Sequence, residues 1–449
     1  MNAKGTLSLC AVLATLSLTA GEYAIRGTTD KDVAIYKAGE KIEMTFRVFD
    51  GKTAVAGKEL LWTRTGDDGE TAVAGKKLLW TRTGDDGKTE KGEGISSTEG
   101  LVVTTSMDKP GFVRYEVKAF GEDGKSLQGY VGGWGGNKTG NIFFDGGACV
   151  EPEKLQAVEE PKDFDAFWNA AKATLAKIPM KVEAKDVACK NPKVKLFAVT
   201  LACAGPKPVT GYLTIPANAG KKSLPAIVQF HGYGTGKHNP PGWLNESAIF
   251  FDVNAHGMEL GRDDEYYQQL QKELAGYCFK NNENADREKS YYYGMALRVM
   301  RALQYVKTLP EWNGKELQSN GGSQGGLQGL WGAGLDSDVT SCNIWSPWSC
   351  DFGGITVGRL HGWRPDYVKS LDYFDPVFHA KRIKGKAHLI ANYGDYTCAP
   401  SGVWIVYNNI PHTNKSMEVK QGCTHGYEMK HCVKYTITPE GIKDTGSKK

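Results

Sequence analysis

Hydrophobic and polar positions alternate with two different periods along this chain, and the change between them falls near residue 148. From about 22 to 148, short runs such as Glu43 to Phe49, Leu101 to Thr105 and Phe112 to Ala119 are separated by Gly, Asp and Lys turns. Such spacing predicts a small β-sandwich. A glycine-dense segment, 132 to 147, closes this region. Beyond it, Phe164, Phe167, Trp168, Ala171 and Leu175 recur at three- and four-residue intervals, which predicts a helix opening near Pro161 with one face on a core. Strand-like runs at 196–201, 210–215 and 226–230 then alternate with helix-like stretches to near residue 437. That alternation predicts an α/β fold with a mostly parallel sheet flanked by helices, occupying 149–440.

Two local features interrupt the pattern. Residues 1–21 carry Lys4, an apolar run from Leu7 to Leu18 and small residues at Thr19 to Gly21, the layout of a signal peptide. A secreted or periplasmic protein is therefore expected. Residues 51–68 and 69–86 are near-identical copies that differ only at Lys52/Glu70 and Glu59/Lys77. Two copies are too few for a solenoid, so one copy is expected to add a hairpin or loop that the sandwich does not need.

Composition narrows the class. At 449 residues the chain is too long for one compact core and is read as two regions. The 55 basic and 51 acidic residues leave a net charge of +4 without a basic block, so nucleic acid is not an expected partner. Mean hydropathy is −0.41, and no apolar stretch after Gly21 reaches the length of a membrane span. Nine cysteines follow the signal segment, none in a CxxC pair, so no metal and no cofactor is expected from their pattern.

The chemistry concentrates in Gly321-Gly322-Ser323-Gln324-Gly325, a GxSxG between a strand-like ELQS and a helix-like LQGLWGAGL. A sharp strand-to-helix turn exposes such a serine as a nucleophile. The serine needs a base that a carboxylate orients, and in this fold the order along the chain is Ser, Asp, His. The strand-like run from His388 to Asn392 ends in a loop presenting Asp395, and His425 lies in the glycine-flanked GCTHGYE. His412 follows a proline and His431 sits in a basic segment, which disfavours both. The amide of Gln324 is the first expected oxyanion donor. The loop His231-Gly232-Tyr233-Gly234 ends a hydrophobic strand, and the Tyr233 amide is the second. Trp345, Trp348 and Trp363 follow the nucleophile region and are candidate walls for a sugar ring, with core packing as the competing role. Cys398 and Cys423 lie beside the acid and base along the chain; a bridge between them would pin the two loops, and two free buried thiols are the equal alternative.

Several segments resemble the acetyl xylan esterase and cephalosporin C deacetylase family. They are PKDFDAFW (161–168), FHGYG (230–234), YYYGMALRVMRAL (291–303), GGSQGG (321–326), CDFGG (350–354), DYFDPVFHA (372–380), YGDYTCAPSGVWIVYN (393–408) and GCTHGYE (422–428). The resemblance covers roughly 150–435. It implies an α/β-hydrolase with Ser323, Asp395 and His425 as triad, an oxyanion hole at Tyr233 and Gln324, and removal of acetyl groups from xylan fragments or other small acyl esters without a metal. Members often form closed oligomers, so a homo-oligomer is implied as well, although the added N-terminal region stands against it. The chain departs from many members at Asn254-Ala255-His256-Gly257, where they carry an arginine-glycine-glutamine motif. A prolyl-oligopeptidase-like peptidase shares the triad order but needs a β-propeller larger than 22–148. A glycan-binding protein with an inert hydrolase domain would need a broken triad, and none of the three residues is missing.

Overall fold

The computed structural model describes residues 23–51, 71–132, 138–429 and 432–444. The signal-peptide reading and the first repeat copy from residue 52 onward therefore lie outside the described residues.

The N-terminal region folds as expected from its period-two pattern. Tyr23–Thr29, Ile42–Asp50, Thr71–Ala72 and Leu101–Thr105 form one sheet. Ile35–Tyr36, Phe143–Val150, Gly111–Phe120, Lys77–Gly84 and Thr89–Ile95 form a second, in that spatial order. Ile42, Met44, Phe46 and Val48 alternate inward along one strand, and Val113, Tyr115, Val117 and Ala119 answer them from the other sheet. Phe46 meets Tyr115 at 5.6 Å and Phe144 at 5.5 Å between ring centroids, which closes the two sheets on one another. The last strand ends at Val150, two residues past the boundary suggested by the glycine-dense segment.

The second repeat copy is not a dispensable loop. Its Lys77–Gly84 strand pairs with Thr89–Ile95 on one side and Gly111–Phe120 on the other, with Leu78 and Arg82 fully buried. The duplication nevertheless carries a spare sequence. Deleting 69–86 joins Asp68 to Gly87, so a single copy reaches the same turn with every buried residue of the strand restored. The one change on the strand is Glu59 in place of Lys77, which turns an exposed 2.8 Å ion pair with Glu93 into a like-charge pair. Exposed pairs are worth well under about 1 kcal/mol. The deletion variant is therefore expected to melt within about 2 °C of the full chain by calorimetry.

The catalytic region is built on an eleven-stranded sheet. Its centre is parallel: Ile249–Asn254, Leu224–Phe230, Trp312–Gly322, Ser341–Trp345, Lys386–Asn392 and Lys415–Lys420 lie side by side. The edges are antiparallel, with Val182–Asp186, Val194–Leu201 and Val209–Pro216 on one flank and Lys434–Thr438 and Gly441–Asp444 on the other. The sheet is thus mixed, parallel at its centre and antiparallel at both edges. Tyr291–Val306 and Gln324–Leu335 cover the centre, both buried along most of their length. The helix expected near Pro161 is Phe164–Ala176, and all five of its periodic apolar residues are buried. Among the described residues, no helix is long and apolar enough to cross a membrane.

One apolar core runs without a break from Ile25 in the sandwich to Ile437 in the catalytic sheet. Polar ties cross the same boundary. Buried Asp85 accepts from the Leu360 amide at 2.8 Å and the Ser401 hydroxyl at 2.5 Å, and the Gln421 side chain bonds both backbone groups of Gly147. Phe112 meets Tyr393 edge-on at 5.2 Å.

Candidate active site

The three parallel strands ending at Gly322, Asn392 and Lys420 deliver the reactive side chains to one end of the sheet. Ser323 stands between its strand and the helix Gln324–Leu335 with φ 56° and ψ −126°, a backbone conformation that is costly for a residue with a Cβ. The flanking glycines are required by space. A Cβ on Gly321 would lie 2.2 Å from the Gly325 carbonyl, and one on Gly325 would lie 2.1 Å from the Phe230 oxygen. The motif is therefore a close crossing of strand, turn and helix, which ties it to the neighbouring strand Leu224–Phe230.

His425 Nε2 lies 3.0 Å from Ser323 Oγ, and its Nδ1 lies 2.8 Å from Asp395 Oδ2. Asp395 is 1% exposed, and its other oxygen accepts from the amides of Thr397 at 2.9 Å and Cys398 at 2.8 Å. Those two amides fix the carboxylate plane. The acid and base loops are joined directly: the Gly394 amide donates to the Cys423 carbonyl at 2.9 Å, and Asn392 Nδ2 donates to the Thr424 carbonyl at 3.1 Å. The expected Cys398–Cys423 bridge is absent, and all nine described cysteines are free thiols. Cys423 instead donates a hydrogen bond to Cys432, which raises the pKa of the first and lowers that of the second. Backbone hydrogen bonds hold the loops where the bridge was expected.

The loop 231–234 passes beside the serine, and a Cβ built on Gly232 would come 3.9 Å from the Ser323 Cβ. Gln324 opens its helix, so its amide is one of the first-turn donors that no helical carbonyl reaches. The supports of this loop were not legible in the sequence. Tyr277 OH donates to Gln324 Oε1 at 2.8 Å and accepts from the Gly234 amide at 3.0 Å, while its ring stacks on Tyr233 at 4.2 Å. Burial raises its pKa, so it remains a hydroxyl donor. His256, from the departing Asn-Ala-His-Gly motif, bonds the Gly234 carbonyl through Nε2 at 2.8 Å and Tyr291 OH through Nδ1 at 2.6 Å. Burial pushes its pKa down to about 4, so a neutral ring with its proton on Nε2 fits both partners. Tyr277→Phe removes the link between the two expected oxyanion donors without emptying the space. It is expected to lower kcat by about 10- to 100-fold with KM little changed, in steady-state ester hydrolysis.

A cavity of about 800 Å³ opens over these groups, with Tyr233, Ser323, Trp345, Trp363 and His425 in its wall. Trp345 and Trp363 are 39% and 44% exposed, as a ring-binding wall requires. Trp348 is a correction. It is fully buried behind the wall, stacks on Trp363 at 5.5 Å and donates its Nε1 proton to the Trp363 carbonyl. It positions a wall residue and is not one itself.

A parallel sheet whose strand ends present a strained serine, a histidine and a carboxylate in that spatial chain defines an α/β-hydrolase. The sequence model of the Acetyl xylan esterase (AXE1) family matches residues 153–364 and 359–438. The chain belongs to that family. Acetyl esterase Axe7A of Xylanibacter ruminicola is 28% identical over 286 residues, spanning 59% of this chain and 64% of that protein's length. The acetyl xylan esterase from Paenibacillus sp. R4 superposes with a TM-score of 0.53 at 23% identity, covering 62% of this chain and 94% of the other. Acetyl xylan esterase 1 from Thermoanaerobacterium sp. JW/SL YS485 gives 0.52 at 21% identity, covering 62% and 93%. At those identities the two structures establish the fold.

Proposed function

We propose that this protein is an exported serine esterase that removes acetyl or similarly short acyl groups from carbohydrate or other small esters. The observation that carries the reading is the hydrogen-bonded chain Ser323–His425–Asp395 opening onto the cavity. His425 Nε2 takes the proton of Ser323 Oγ as that oxygen attacks the ester carbonyl, and Asp395 stabilises the imidazolium formed. The amides of Tyr233 and Gln324 receive the oxyanion. Collapse of the tetrahedral intermediate expels the alcohol, which takes the proton from His425. Water then repeats the sequence on the acyl-serine and releases the acid. The short acyl preference rests on the family and on the acetyl esterase names of the relatives. Export rests on the N-terminal composition alone.

The peptidase alternative is disfavoured, because the described N-terminal residues form two packed sheets and a two-stranded ribbon and not blades around a channel. The test is hydrolysis of p-nitrophenyl acetate, butyrate and octanoate, followed by acetate release from acetylated xylo-oligosaccharides. We expect kcat/KM to fall by about 100-fold from acetate to octanoate if the short-acyl reading holds. Octanoate as the best substrate would remove the short-acyl reading.

A further inference from the structure

Beside the triad, the same cavity wall carries a second cluster that the hydrolytic steps do not use. His231 follows the strand Leu224–Phe230 directly, and Asp252 sits on the adjacent parallel strand Ile249–Asn254. His238 folds back from the loop beyond Tyr233, and its ring stacks on Tyr212 at 5.4 Å with an interplanar angle of 6°. His231 Nε2 lies 2.7 Å from Asp252 Oδ1, and His238 Nε2 lies 3.7 Å from Asp252 Oδ2. One ligand atom from each of the three residues falls within 4.8 Å of the others.

We propose that His231, His238 and Asp252 form a site for one divalent transition ion of the zinc class, with a fourth coordination position open to the catalytic cavity. Four observations point there. The donor set is two imidazoles and one carboxylate, which suits zinc-like ions and leaves a place for water or a substrate oxygen. Tetrahedral ligands at about 2.05 Å from an ion stand about 3.3 Å apart, and one donor atom from each of the three residues already lies within 4.8 Å of the others. His238 Nε2 is buried, with the side chain 3% exposed, and has no hydrogen-bond partner within the protein. A buried nitrogen left unpaired is costly, and a bound ion would satisfy it. Finally, His231 and His238 both line the cavity that holds Ser323, so an ion could reach them from solvent.

Asp252 comes from a strand, and His231 and His238 come from the segment that carries Tyr233. Loading therefore ties the 231–238 segment to the strand beneath it and holds one expected oxyanion donor in place. The cysteine pattern could not reveal this site, because its ligands are histidine and aspartate separated by 7 and 14 residues along the chain.

The test uses the whole protein after dialysis against a chelator, titrated with Co²⁺ alone and then with Zn²⁺ in competition. The expected result is one Co²⁺ per chain with visible d–d absorption, no sulfur-to-cobalt charge-transfer band, displacement by Zn²⁺, and a higher melting temperature when loaded. Asp252→Asn keeps the side-chain shape and should weaken Co²⁺ binding at least about 100-fold; His231→Asn, at a half-exposed position, serves as the second variant if the first does not fold. The other cluster of possible ligands among the described residues, Asp395, Cys398 and His425, contains a thiol. A thiolate charge-transfer band would place the ion there and overturn the proposal. So would wild-type affinity in both variants, or no binding to the native chain below millimolar Co²⁺.

Discussion

Replacement of Ser323 by alanine is expected to lower kcat on p-nitrophenyl acetate by about 10⁵- to 10⁶-fold while leaving the fold intact. The methyl group of alanine fits the turn as it stands, because the strain at this position lies in the backbone and not in the hydroxyl. The oxygen that would bond the acyl carbon is gone, and His425 is left facing a methyl in place of a proton donor 3.0 Å away. Some acceleration over solution should persist, since the Tyr233 and Gln324 amides still receive an oxyanion when water attacks directly. Because the serine and histidine act as one unit, Ser323→Ala/His425→Ala should be scarcely slower than either single variant. Additive losses in that pair, or native turnover in Ser323→Ala, would move the nucleophile elsewhere.

Asp395→Asn is expected to cost about 10⁴-fold in kcat, and the reason lies in the two amides behind the carboxylate. Thr397 and Cys398 donate to Oδ1 at 2.9 and 2.8 Å, so an asparagine there must keep its carbonyl oxygen on that side. Its NH₂ group then faces His425 Nδ1, where the wild-type oxygen stood at 2.8 Å. Two donors cannot share that bond. The imidazole is driven to the tautomer with its proton on Nε2, and that proton points at Ser323 Oγ, which disables the base. Activity that climbs steeply with pH in the variant, as serine loses its proton without help, would support this account in a stopped-flow pH series. A loss of tenfold or less would mean that the acid is not what orients the ring.

Features governed by local sequence were readable in advance, and features made by distant segments were not. GxSxG pointed to Ser323 as the candidate nucleophile because the turn needs small residues at fixed offsets, and the chain order Ser, Asp, His pointed to Asp395 and His425, which the fold brings into hydrogen-bond contact. The five buried positions of Phe164–Ala176 followed from their period alone. Tyr277 escaped notice, and His256 stood out only as a departure from the family motif, because their roles depend on where Gly234 and Gln324 arrive in space. Trp348 looked like its neighbour Trp345, yet three residues of chain were enough to turn it into the core. The cysteine pairing failed for the same reason: proximity to the acid and base along the chain does not bring two sulfurs together. The edges of the sheet also ran against expectation, since short connections at 201–209 and 438–441 allow antiparallel hairpins where the alternation had suggested crossovers.

Asp85, Gln421 and the Phe112–Tyr393 contact have a consequence for how such a protein can be shortened or recombined. A catalytic fragment beginning at residue 149 would expose Tyr393, strip the partners from Leu360 and Ser401, and leave the Gln421 side chain, at the root of the His425 loop, without Gly147. The front sheets are thus not a cassette to be exchanged between hydrolases by splicing at a linker. They are a wall shared with the reaction centre, and inheritance has to move the two halves together.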